Sequence, residues 1–253
     1  LSGPVHLNFP FREPFFENAE KQTNSKGETI TAQKVYVRNT AFSKVLPNSE
    51  IKELLKNRPE SGILSIGRVP ADSLVSLKKL AEELAWPVFA DVTSGLRLGE
   101  NCPNRITYYD QLLIEDLDSV NWEIEAVWHI GFPPTSKRWL THWGKNPATQ
   151  MIWIADHAER HDQSHNFRWK IECGIAEFCE QLVSELKLAE RAEVIPLKTQ
   201  QWLQASAKVE AVMEQHFPLN SEKKEIDDFA LSRRLTEIIP ETHGFFIGNS
   251  IPV

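Results

Sequence analysis

The chain has 253 residues, 41% of them hydrophobic and 25% charged, enough to bury a core of domain size. Its 28 Lys and Arg stand against 35 Asp and Glu, and the net charge of -7 disfavours nucleic-acid backbones and anionic membrane surfaces as partners. No apolar run approaches the ~18 residues of a membrane span, and the three cysteines, Cys102, Cys173 and Cys179, lack Cys-x-x-Cys spacing, so a reducing compartment such as cytoplasm is expected.

The first element is not a helix. LSGPVHLNFPFREPFF (1–16) carries Pro4, Pro10 and Pro14, each of which fixes φ and removes an amide donor. Its Val5, Leu7, Phe9, Phe11, Phe15 and Phe16 demand a surface to pack on, so it reads as an extended strap belonging to a larger assembly. A polar linker follows at 18–34. The chain starts at Leu1 without an initiator Met or a visible signal peptide, and is expected to be processed or cut from a longer one.

From there strands and helices alternate. SGILSIGRV (61–69) predicts a strand, and Asp72 stands at a helix N-cap position before LVSLKKLAEELA, whose Leu74, Leu77, Leu80, Ala81 and Leu84 share one face. Trp86-Pro87 is expected to stop that helix. PVFADV (87–92), EAVWHIG (125–131) and QMIWIAD (150–156) are apolar runs of strand length, as in a parallel sheet covered on both faces. Helical spacing marks 171–188, 200–217 and 226–239. The pattern predicts an α/β fold with a doubly wound, mostly parallel sheet over about 45–195. GFFIGNSIPV (244–253) then opens a fresh strand.

Open sheets of this kind bind ligands beyond the carboxyl ends of their strands, and PPTSKR places Lys137 and Arg138 beyond AVWHIG, where they suit anionic ligands or form a solvated basic pair at a helix start. Gly248, Asn249 and Ser250 make a turn of backbone amides and small polar groups that either cradles an anion or is a plain tight turn. Asp91, Thr93, Ser94 and Arg97 either cap the turn after a strand or line an interface, capping being the simpler reading. SIGRVPAD (65–72) follows a strand with Gly67 but lacks the three-glycine dinucleotide spacing. HAERH (157–161) spaces two His as a zinc site would, yet Ala158 stands where a zincin needs Glu, and a surface loop is the better reading.

GPVHLNFPFREP (3–14), LAWPVFADVTSGLR (84–97), YDQLL (109–113), PPTSKRWL (133–140) and FFIGNSIPV (245–253), in that order, resemble the 2-succinyl-5-enolpyruvyl-6-hydroxy-3-cyclohexene-1-carboxylate synthase family of thiamine diphosphate enzymes. The resemblance implies three α/β domains in the parent. This chain would hold an exit segment and linker from a pyrimidine-binding domain (1–45), a Rossmann-like central domain (46–195), and connecting helices with the first strand of a diphosphate-binding domain (196–253). It further implies that the parent, a dimer or tetramer in cytoplasm or plastid stroma, joins a succinyl carbanion from 2-oxoglutarate to isochorismate using thiamine diphosphate and magnesium, for menaquinone or phylloquinone biosynthesis. Lys137, Arg138, Asn249 and Ser250 would then face substrate, and Gly248, Asn249 and Ser250 the cofactor. The cofactor-activating Glu belongs to a domain outside this chain and no Gly-Asp-Gly metal motif is present, so no catalytic residue, metal site or cofactor is expected for the chain alone. The alternative is an independent Rossmann-like module binding NAD or a flavin.

Overall fold

The computed structural model describes residues 38–99, 102–114, 124–159, 162, 165–188, 195–218 and 228–240. The chain divides into Leu1–Val35 and Tyr36–Val253, and every described residue lies in the second unit. The Pro-rich strap at 1–16, the linker at 18–34 and the strand at 244–253 with Gly248, Asn249 and Ser250 lie outside the described residues.

The predicted parallel sheet is present. Six strands, β1 (Arg38–Ser43), β2 (Gly62–Ile66), β3 (Val88–Ala90), β4 (Ala126–Ile130), β5 (Gln150–Ala155) and β6 (Trp169–Cys173), run in the order β1-β6-β5-β4-β2-β3, every neighbouring pair parallel. Helices α1 (Asn48–Lys56), α2 (Leu74–Leu84), α3 (Tyr109–Leu112), α4 (Lys137–Lys145), α5 (Ile175–Leu188), α6 (Leu197–His216) and α7 (Asp228–Ile238) complete the described elements. Because side chains alternate across a strand, the continuous apolar runs feed two cores. Leu64, Ile66, Trp128, Ile130, Ile152 and Ile154 join Leu77, Leu80, Leu84, Phe178 and Leu182 on one face. Ile63, Val127, Met151 and Trp153 join Phe89, Tyr109, Trp139, Trp143 and Trp202 on the other.

Three local expectations are corrected. Asp72 does not cap α2: it sits inside a 3-10 turn, Ala71–Ser73, which starts after Pro70 and runs straight into the helix, with Ser73 Oγ donating to Pro70 O at 2.6 Å. The helix ends before Trp86-Pro87 forces it to, because Ala85 turns left-handed (φ 52°) while its N–H still donates to Ala81 O at 3.1 Å. The stretch 171–188 is not all helix; Trp169–Cys173 is strand β6, and the helix begins at Ile175. Two elements fall across the segment limits read from the sequence: β1 hydrogen-bonds to β6, and α6 buries Trp202 edge-on against Phe89.

Candidate functional site

Strand β2 lies between β3 and β4, which makes the β2/β4 boundary the point where the chain reverses its winding and where such sheets usually open a ligand crevice. Here the two loops leaving those strands cross. Gly67 N donates to Ile130 O at 2.9 Å and Phe132 N to Arg68 O at 3.0 Å, while the Arg68 guanidinium lies 4.0 Å from the centre of the Phe132 ring. A Cβ on Gly67 would stand 1.7 Å from Phe132 O, and Gly131 adopts φ 91° with its missing Cβ directed at Arg68 O, 2.4 Å away. Gly67 therefore serves a backbone crossing. The dinucleotide reading of SIGRVPAD loses its crevice.

One strand over, the same edge is polar. Asp91, 1% exposed at the end of β3, accepts four hydrogen bonds: from Thr93 N and Oγ1 (2.9 and 2.6 Å) on one oxygen, and from Thr135 N and Oγ1 (2.7 and 2.9 Å) on the other. The first pair, with Ser94 Oγ donating to Asp91 O, is the capped turn read from the sequence. The second pair joins the loop after β3 to the loop that enters α4. Ser136 is the N-cap of α4; its Oγ accepts from Trp139 N at 3.0 Å and donates to the Asp110 carboxylate on α3. Buried Trp139 and Trp143 then anchor the helix.

This architecture sends the two adjacent cations in different directions. Arg138 pairs through Nη1 with Asp110, its side chain 52% exposed. Lys137 has no ion pair among the described residues and lines a cavity of about 300 Å³ with His129, Pro133, Trp139, Trp153 and Phe167. Both cations stand at the positive end of the α4 dipole, where Asp or Glu would be the stabilising choice. That placement concentrates positive charge at one turn.

Arg97 does not cap the turn. Its guanidinium lies 5.3 Å from the Tyr109 ring centre, and Nη1 is buried with no hydrogen-bond partner among the described residues. Burial pushes its pKa down, opposed mainly by Tyr109.

His129, which the sequence hid inside an apolar strand, is 2% exposed. Its Nε2 donates to Phe132 O at 2.9 Å, since a carbonyl can only accept, so Nδ1 accepts from Ser65 Oγ at 3.0 Å. Burial drives its pKa down to about 4, leaving a neutral wall of the cavity.

The zinc-like spacing at HAERH forms no helix at 157–159, and His161 lies outside the described residues. The buried Lys170 donates to the carbonyls of His157 (3.0 Å) and Glu159 (2.9 Å), and His157 stacks on Phe132 with centroids 4.0 Å apart. Among the described residues no three His, Cys, Asp or Glu side chains group as metal ligands, and no helix is long and apolar enough to cross a membrane. The thiols are held protonated by burial: that of Cys173 is pushed up to about 12, and those of Cys179 and Cys102 also rise.

A parallel α/β sheet whose switch point is closed by backbone, with two cations on the helix turn beside it, defines a Rossmann-like domain. The chain belongs to the thiamine pyrophosphate middle-domain family: the family model described as "Middle domain of thiamine pyrophosphate" matches residues 24–247. It is 29% identical over 256 aligned positions to the 2-succinyl-5-enolpyruvyl-6-hydroxy-3-cyclohexene-1-carboxylate synthase of Rubrobacter xylanophilus, covering 100% of this chain and 43% of that protein. The synthase of the same name from Synechococcus elongatus is 28% identical over 269 positions, with 99% and 42% covered. Protein PHYLLO, chloroplastic, of Arabidopsis thaliana is 26% identical over 273 positions, with 99% and 15% covered. The chain thus spans less than half the length of the curated relatives it matches.

Proposed function

We propose that this chain is the central part of a thiamine-diphosphate-dependent transferase that decarboxylates 2-oxoglutarate and adds the succinyl carbanion to isochorismate in menaquinone or phylloquinone biosynthesis. The observation that carries the reading is a match over essentially the whole chain to relatives bearing that synthase's name, with Lys137 and Arg138 at the carboxyl edge of β4.

In this reading the chain is a scaffold and a substrate wall. Thiamine diphosphate, held with magnesium by the parent's other domains, supplies the carbanion chemistry. Within this chain Lys137 and Arg138 bind a substrate carboxylate, helped by the α4 dipole, while the Phe132 crossing and the Trp139 and Trp153 rings shape the wall. Asn249 and Ser250 face substrate, and Gly248, Asn249 and Ser250 the cofactor, in the assembled parent. The segments divide as 1–45 from the preceding domain, 46–195 central and 196–253 leading into the next, with β1 and α6 completing the central sheet and core from either side. The parent is a dimer or tetramer in cytoplasm or plastid stroma, and this chain alone is inactive.

The test is Arg138→Ala in the intact enzyme. Losing one charge-assisted hydrogen bond to substrate should raise KM for isochorismate by about tenfold or more. An unchanged KM removes the pair from the site. Titrating the chain itself with thiamine diphosphate plus magnesium, NAD and FAD should give no heat; binding of a dinucleotide would restore the independent nucleotide-binding alternative.

A further inference from the structure

Asp110 is 28 residues from Arg138 in sequence and lies on a different element, yet its carboxylate divides between two groups at the start of α4. One oxygen accepts from Ser136 Oγ and the other from Arg138 Nη1. The acid is firmly held: its neighbour Tyr109 stacks on Phe89 with centroids 4.9 Å apart and planes at 13°, and Leu112 on the same short helix is buried. It is also the inner member of the ion pair, its side chain 26% exposed against 52% for Arg138. The carboxylate therefore sits behind the guanidinium, and the outer N–H groups are left toward solvent.

We infer that Asp110 is a positioning residue for anion binding, holding Arg138 from behind so that its free N–H groups face the substrate carboxylate in a set orientation. The inference rests on the functional reading above. A free arginine loses about 2 kcal/mol of rotamer entropy when a ligand immobilises it. A guanidinium already fixed by a buried-side carboxylate has lost much of that freedom before the ligand arrives. The same acid fixes the helix entry through Ser136, so cap and cation move as one unit. Lys137, without such a partner among the described residues, supplies charge but not orientation.

The experiment is a double-mutant cycle in the intact enzyme, with KM for isochorismate and kcat measured for wild type, Asp110→Asn, Arg138→Ala and the double variant. Asp110→Ala serves in place of the amide if that variant melts early. Asp110→Asn should raise KM about fivefold with kcat within twofold, and should have no further effect once Arg138 is Ala. In the 253-residue chain, the Arg138 Nε–H resonance should broaden or exchange faster in Asp110→Asn than in wild type. If Arg138→Ala raises KM while Asp110→Asn does not, or if the Asp110→Asn effect persists without Arg138, the inference is overturned and the substrate-wall reading stands. If Arg138→Ala leaves KM unchanged, that reading falls and takes the inference with it.

Discussion

Two neighbouring stretches of one sheet edge are built in opposite ways. At the β2/β4 boundary, residues 67–68 and 131–132 cross with glycines at the contact, and a Cβ on Gly67 would be only 1.7 Å from a carbonyl oxygen. Between β3 and α4, Asp91 ties the loop after β3 to the loop that enters α4, Asp110 ties α3 to the start of α4, and the cations are left exposed. The first stretch is sealed by backbone and tolerates no atoms. The second is braced by carboxylate hydrogen bonds and an ion pair. The difference sets a switch point filled by backbone, where such folds usually open a crevice, beside an edge braced by side chains that carries exposed cations.

The sealed side should be the harder to disturb without damage. Gly67→Ala drives a methyl into Phe132 O, a backbone atom that cannot rotate away, and should destabilise the chain by more than about 4 kcal/mol. Chemical denaturation would measure it, and a loss under about 1 kcal/mol would mean that the crossing is loose.

His129 belongs to the same sealed region and gives a pH signature. Its folded pKa is lowered to about 4 from 6.5, so as pH falls the unfolded chain takes the proton first. The contribution is complete above the unfolded value of about 6.5 and is lost as pH falls from there through about 4, to an extent of about 3 kcal/mol. Denaturation at pH 7 and pH 4 should show this drop in wild type and a smaller one in His129→Gln. Equal drops would place the titration elsewhere.

On the braced side, Asp91→Asn replaces an acceptor of four hydrogen bonds with an amide whose NH₂ must face donors on one side. A loss of about 2 kcal/mol is expected. It should be accompanied by increased amide exchange at Thr135, which reports the loop that enters α4. Protection left intact at Thr135 would show that Asp91 does not brace that loop.

The contrast also sorts what could be read from sequence. The strands β2 to β5 were legible because each is a short apolar run buried on both faces, a pattern that tertiary context reinforces. Strand β1 (RNTAFS) was not, since it lies at the sheet edge with most residues exposed and carries no such run. Strand β6 merged with the following helix because WKIEC alternates for only five residues before Gly174 and Ile175 start a helical period. The placement of PPTSKR between β4 and α4 and the Asp91 turn were legible because their physics is local, spanning a few residues. The bonds from Asp91 to Thr135, 44 residues on, and from Asp110 to Arg138 exist only after the sheet brings its carboxyl ends together. Arg97 was misplaced for the same reason: in sequence it extends a turn, whereas in the fold it lies over Tyr109.

The smallest expected effect is the most discriminating about why the cations are there. Lys137 occupies the first turn of α4, where its charge opposes the helix dipole, and it has no ion pair among the described residues. If it served stability alone, neutralising it would be harmful or silent. Removing an opposing charge from a helix N-terminus is instead worth roughly 0.3–1 kcal/mol, so Lys137→Gln should raise the stability of the chain by about 0.5 kcal/mol. In the intact enzyme the same change should weaken substrate binding severalfold, by removing a charge near the ligand. Opposite signs in the denaturation curve and in KM would mark Lys137 as retained for binding at the expense of the fold. A fall in stability would instead assign the side chain to packing around the cavity it lines.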